Sequence, residues 1–362
     1  MIKSIFTRLI RISIPKFILL TIFFSIVAIL LISANKNLSN SKITSRITRD
    51  INLLWGKPAK TMFPSISNPK YISTIQASEF LTDDDILFRI YFGKESFVYP
   101  AIILSYHHIV NDEINKQPFA VTYCLLTDTP IIYNRRLDDK IISLGVLGPL
   151  YFGNLVMYDT NTDSYITQLT GEIIYGPLKG KSLSQLFSVE ITNWKSIKGD
   201  KSLHVLSPVK EMKFYRDFYS RYLSSGMGLH ALKKTINVED LRLDPYTKGI
   251  GINNSSTIFV PLTNSSPTVI NNSTFSNAPL LIYQNKKRGA YRIFSRLVDD
   301  KVLTFDSTTD GIIDRETKTI WSFDGKGLKG PYVNLQLIVP QYVQAYWFSW
   351  SAFYPDTAIV DK

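Results

Sequence analysis

Arg136-Leu-Asp-Asp-Lys-Ile-Ile-Ser-Leu144 returns later in the chain as Arg296-Leu-Val-Asp-Asp-Lys-Val-Leu-Thr-Phe305, with one residue inserted. Working outward from this pair, Asp159-Thr-Asn-Thr-Asp-Ser-Tyr165 matches Asp314-Arg-Glu-Thr-Lys-Thr-Ile320, and Gly176-Pro177 matches Gly330-Pro331. Trp194 falls opposite Trp350. Upstream, Val98-Tyr-Pro100 answers Phe259-Val-Pro261, and Val121-Thr-Tyr123 answers Leu281-Ile-Tyr283. Six blocks keep one order at an offset between 154 and 161 residues, which chance similarity does not produce.

Within each unit, short β-branched and aromatic runs are bounded by charged or turn residues, as strands are. Examples are Ile131–Arg135, Lys140–Leu144 and Lys301–Phe305. Turn chemistry separates them at Asp159–Asp163 and Asp324-Gly325. Helical periodicity is confined to Phe214–Lys234 and the neighbourhood of Tyr342–Phe353. The expected fold is mainly β, a β-rich α+β protein of two duplicated lobes with a partly helical connection. The first unit covers 75–210, the connecting segment 211–244 and the second unit 245–362.

The 362 residues carry a net charge of +11, and its placement decides what it means. Residues 1–50 hold eight basic side chains against Asp50, a sum of +7, so the other 312 residues share only +4. No basic run with interleaved aromatics occurs in the body, so a nucleic-acid partner is not expected. The N-terminal charge instead flanks Phe17–Ala34, 18 residues without a charge, which just reaches the length of a membrane span. Lys3, Arg8, Arg11 and Lys16 precede it and favour an inside N-terminus. Residues 1–16 are thus expected in the cytoplasm, 17–34 as a single-pass signal-anchor in the cell membrane, and 35–74 as a tether and lead-in. The body would lie outside the cytoplasm.

Cys124 is the single cysteine, so no internal disulfide framework exists. Asn253–Asn277 is rich in Asn, Ser and Thr and holds glycosylation sequons at Asn253, Asn254, Asn264, Asn271 and Asn272, with another at Asn37. An exposed glycosylated surface facing glycans or an envelope partner and a plain Asn-rich loop both fit this composition.

Tyr106-His-His-Ile-Val-Asn-Asp112, Thr122-Tyr-Cys-Leu-Leu-Thr-Asp128, Arg135-Arg136, Met157-Tyr-Asp159, Ile166-Thr-Gln-Leu-Thr-Gly171 and Gly176-Pro177 form an ordered series. The series resembles the uncharacterised bacterial and archaeal family called domain of unknown function 3179, over roughly residues 75–362. The family pattern has a Cys-x-x-Cys, which implies thiol or selenol chemistry. Here the second cysteine is Thr127, the tryptophan before the histidine is Tyr106, and the following glutamate is His108. With one cysteine, the dithiol exchange that the resemblance implies cannot close in this chain.

What remains is a concentration of reactive groups: His107, His108, Asp112, Cys124 and Asp128. Imidazole nitrogen and thiolate sulfur are preferred ligands of copper or zinc, which would make His107, His108 and Cys124 a metal site. Alternatively Cys124 is a nucleophile with His107 as its base and Asp112 in support. The repeat places Gln284 opposite Cys124, and Pro267 and Thr268 opposite the histidines. The plainer reading is a small buried cysteine on a strand and histidines satisfying backbone at its end. Two functions follow: a surface binding or structural module with a metal site, or an extracytoplasmic thiol- or metal-dependent enzyme or redox accessory using Cys124 and His107.

Overall fold

The computed structural model describes residues 59–93, 95–225, 240–254, 256–262, 268–275, 278–285, 290–308 and 311–360. The signal-anchor at 17–34, most of the tether, Asn37, Asn264 and Pro267 lie outside the described residues. Among the described residues, no helix is long and apolar enough to cross a membrane.

The body is mainly β, arranged in several small sheets. Strand Gln117–Cys124 explains how the first one forms. Its run Pro-Phe-Ala-Val-Thr-Tyr-Cys is buried on both faces, so it takes the centre of a sheet and pairs on either side. Ile109–Ile114 precedes it across Asn115-Lys116, both at positive φ (52° and 65°), the geometry of a tight primed hairpin turn. Thr129–Asn134 follows it. Gln185–Phe187 and the short parallel Ile66–Ser67 close the two edges.

A second sheet runs Leu144–Tyr151, Asn154–Asp159, Tyr165–Thr167, Ile173–Tyr175. A third runs Glu190–Asn193, Ile86–Phe92, Glu95–Pro100, Leu203–Leu206, Tyr71–Ile72. Beyond residue 245 come three sheets of related order. Thr268–Phe275, Ala278–Asn285 and Ala290–Ser295 form one, and Phe305–Ser307, Ile312–Asp314, Ile320–Trp321 and Gly327–Lys329 the next. The last runs Val343–Tyr346, Lys248–Asn253, Thr257–Pro261, Ala358–Ile359, with two antiparallel pairings and then a parallel one. The first four strands of the third sheet pair in that same sense.

Five helices are described: α1 (Thr74–Ala77), α2 (Ala101–His107), α3 (Trp194–Ile197), α4 (Met212–Ser224) and α5 (Trp347–Phe353). The expected helical regions hold α4, over the part of 214–234 that is described, and α5, which begins five residues into its periodic stretch. The remainder of 214–234 falls mostly outside the described residues.

Side-chain bonds recur at fixed spacing. Asn111 donates to Leu144 O (2.8 Å) and accepts from Leu144 N (2.9 Å), and Asn272 does the same with Phe305 O and N (2.8 and 2.9 Å). Asn272 is therefore engaged with the backbone, which takes its amide out of the list of free sequons. Arg135 Nη1 donates to Ile142 O (2.9 Å), and Arg296 Nη1 to Leu303 O (2.8 Å). Gly176 and Gly330 both sit at positive φ (88° and 114°). A Cβ there would approach the Cα of Ser164 or Thr319 within 2.7 or 2.8 Å, so each position admits only glycine without rearrangement.

If the two halves are superposed on these recurrent bonds, three registers differ from those of the sequence blocks. Arg296 answers Arg135 rather than Arg136, and no residue is inserted. Asn111 faces Ala120 and Asn272 faces Leu281, so Tyr123 answers Gln284, not Tyr283, and Cys124 answers Asn285. Trp194 opens α3 with its N–H on Asp85 O, and Trp347 opens α5 with its N–H on Thr247 O. On that superposition Trp347, not Trp350, stands opposite Trp194.

The halves are not separate lobes on a linker. One core cluster contains Phe88, Tyr99 and Val121 from the first and Ile250, Val260 and Ile293 from the second. Across the join, Gln185 donates to Tyr342 O (2.9 Å) and Tyr342 donates to Val189 O (3.0 Å).

Candidate functional site

Cys124 ends its strand and pairs with Thr129 across the loop Leu125–Asp128, where Asp128 takes a positive φ of 50°. The thiol is 2% exposed, with its sulfur 3.9 Å from Gly153 O. Burial pushes its pKa up. The Thr127 hydroxyl and the backbone N–H groups of Thr127, Leu155 and Leu126 oppose this without overcoming it. The group is thus a protonated thiol at neutral pH, a weak nucleophile and a poor ligand.

Thr127 is fully buried and accepts from Asn154 Nδ2 (2.9 Å). Gln168 Nε2 donates to Thr122 Oγ1 (3.1 Å) and Thr129 O (3.0 Å). The remaining amide oxygens, Asn154 Oδ1 and Gln168 Oε1, are buried and lack a donor among the described residues. These two residues form the polar lining of the second sheet where it meets the Cys124 strand. Sequence reasoning missed Asn154 altogether. Gln168 was visible only as the glutamine of the Ile166–Gly171 motif.

The histidines point elsewhere. His107, at the end of α2, is 3% exposed, with Nδ1–H donating to Pro64 O (2.6 Å) and Nε2 accepting from Tyr215 OH of α4 (2.9 Å). Both ring nitrogens are therefore occupied by protein. Burial lowers its pKa, against the Pro64 bond. His108 caps α2 at φ 56° and donates from Nδ1 to Tyr123 O (3.0 Å), with its ring edge-on to Phe63. Desolvation pushes its pKa down to about 4.

Asp112 faces Phe119, five residues along the strand from Cys124, roughly 16 Å at the usual strand rise. It accepts from Tyr99 OH (2.7 Å) and Tyr71 OH, and so serves a different cluster. Asp128 accepts from Tyr123 OH (3.0 Å) and pairs with Lys248, while its carbonyl accepts from Gln344 Nε2 (2.8 Å), tying the first half to the second. Among the described residues, no group of three or more His, Cys, Asp or Glu is placed to hold a metal ion.

A family model described as a protein of unknown function, DUF3179, matches residues 60–357. The chain belongs to the DUF3179 family. The Cys124 loop and the Gln168 motif lie inside the matched span of this DUF3179 protein. No curated protein and no solved structure matches it.

His108 makes the site sensitive to acid. Its folded pKa lies below the unfolded value near 6.5, so between about pH 6.5 and 4 the unfolded chain binds a proton that the folded chain refuses. Stability should therefore fall as pH drops through that window, by roughly 3 kcal/mol from this residue. Asn tolerates a positive φ, so His108→Asn should keep the cap and flatten this part of the pH–stability curve. Equal slopes for parent and variant in urea titrations at pH 4.5 and 7 would refute the assignment.

Proposed function

We propose that this protein is a membrane-anchored, extracytoplasmic binding or structural module whose body arose by duplication of one β-rich unit. The observation that carries the non-catalytic reading is the state of the reactive groups. Cys124 is 2% exposed and held as a thiol, while both nitrogens of His107 are bound by Pro64 and Tyr215. A nucleophile needs a base within hydrogen-bond reach and some access to substrate, and neither accompanies the cysteine here. Duplication is supported by the related strand orders and the recurrent Asn111/Asn272 and Arg135/Arg296 bonds.

The anchor rests on the 18-residue apolar segment and the basic residues before it. Protease added to intact cells should degrade the body while residues 1–16 stay protected. A body protected until the membrane is permeabilised would overturn the topology. The enzyme reading has its own readout. Cys124 should react with a maleimide only after denaturation, and rapid labelling of the native chain would restore the thiol alternative.

A further inference from the structure

Among the described residues, a network of weakly exposed charges stands apart from Cys124. A cleft of about 210 Å³ opens between the halves, with Arg89, Glu190, Thr192 and Asp200 on one side and Arg292, Phe323 and Asp324 on the other. Its floor is a fixed network. Arg292 pairs with Glu190 and donates to Asp324 Oδ1 (2.9 Å), and Tyr91 OH donates to Glu190 Oε2 (2.5 Å). Arg89 donates to Asp200 (2.9 Å) and Ser96 (3.0 Å), with its guanidinium 4.7 Å from the Tyr91 ring centre.

Two guanidinium groups face three carboxylates, so the lining carries one negative charge in excess. Exposure sharpens the imbalance. The side chains of Asp324 and Asp200 are 49% and 36% exposed, whereas those of Arg89 and Arg292 are only 12% and 8%. What a ligand meets at the mouth is carboxylate; the guanidiniums lie behind. Deeper in, Thr192 is 2% exposed and lines the cleft, and among the described residues no group bonds its hydroxyl. Ile197 and Phe323 supply apolar wall. An anion would be repelled at the entrance, and the carboxylates do not converge as ligands of one metal ion.

We propose that this cleft binds a primary ammonium group on a short alkyl stem, as carried by a lysine side chain or a free diamine. The ammonium sits between Asp324 and Asp200, and the stem lies along Ile197 and Phe323. This deepens the binding-module reading and rests on it, but not on the membrane topology. A body found inside the cell leaves the binding result standing, and absent binding leaves the protease result standing.

The test is calorimetric titration of the full-length chain in detergent, at low salt, with cadaverine and with Nα-acetyl-lysine N-methylamide. Pentanol and acetate are the neutral and anionic controls. One amine should bind saturably at one site and neither control should; the tighter of the two amines identifies the source. Asp324→Asn removes charge at the mouth. Gly199→Leu fills the opening without strain, because a Cβ at Gly199 meets nothing within 4 Å and its φ is outside the left-handed region. Each variant should weaken the amine at least tenfold. Amine binding unchanged in both variants, no amine binding, or acetate binding in its place would each overturn the proposal.

Discussion

Glu190→Ala should destabilise the folded chain by about 3–5 kcal/mol, the usual cost of stranding one member of a buried ion pair. The Glu190 and Arg292 side chains are 6% and 8% exposed and come from different halves of the chain. Burial pulls the Arg292 pKa down, yet Glu190 and Asp324 hold it above its ordinary value, so the guanidinium stays charged. Without Glu190 that charge keeps Asp324, a half-exposed partner, and the Tyr291 carbonyl, and Tyr91 loses its acceptor. The effect should reverse when the charge is removed as well. A Glu190→Leu, Arg292→Met double variant of similar volume should recover most of the loss, because buried pairs often contribute little relative to apolar replacements. Urea denaturation of the single and double variants measures both. A single variant within 1 kcal/mol of the parent would mean that the pair does not tie the halves together.

This pair also shows what a sequence can and cannot disclose. The strands were legible because each is a local run: Phe119–Tyr123 reads as β whatever surrounds it. The acid–base pairs of the cleft were not. Arg89, Glu190, Arg292 and Asp324 belong to four separate segments, and no spacing links them before the halves pack. The histidines failed for a related reason. Proximity in sequence suggested that His107 and Cys124 would meet, but the chain runs as helix through His107. The ring consequently turns to Pro64 and α4.

Register errors have a sharper cause. Aligning Tyr123 with Tyr283 follows identity, yet strand pairing sets Tyr123 against Gln284. A one-residue slip costs nothing in a comparison of apolar runs, but in a sheet it moves every side chain to the opposite face. Backbone position, which the letters do not carry, decides the match. The same holds for Arg135 and Arg296, where a shared carbonyl bond fixes what an adjacent arginine obscured.

The tryptophan correspondence yields the second large expected effect. Trp194→Ala and Trp347→Ala should each cost about 3–5 kcal/mol, the range for deleting a large buried aromatic side chain. Trp194 is 1% exposed and packs with Ala77, Leu87, Val98 and Val205 in a cluster of its own half. Trp347 is fully buried against Phe259, and its indole N–H donates to Asp240 O (3.0 Å). Each begins a helix directly after the edge strand of its sheet, so each plugs the same corner. Trp350 is also buried, but its indole donates to Thr357 Oγ1 (3.0 Å) and its ring covers Gly251, where a Cβ would approach within 2.2 Å. It has no tryptophan partner in the first half, where α3 ends at Ile197. Replacement by Phe separates the roles. Trp194→Phe and Trp347→Phe keep ring packing and should lose much less than the Ala variants. Trp347→Phe should lose more than Trp194→Phe, because of these two only Trp347 has an indole N–H acceptor among the described residues. Thermal and urea unfolding of the four variants would decide it. Loss below 1 kcal/mol for either Ala variant would remove that residue from the core and the equivalence with it.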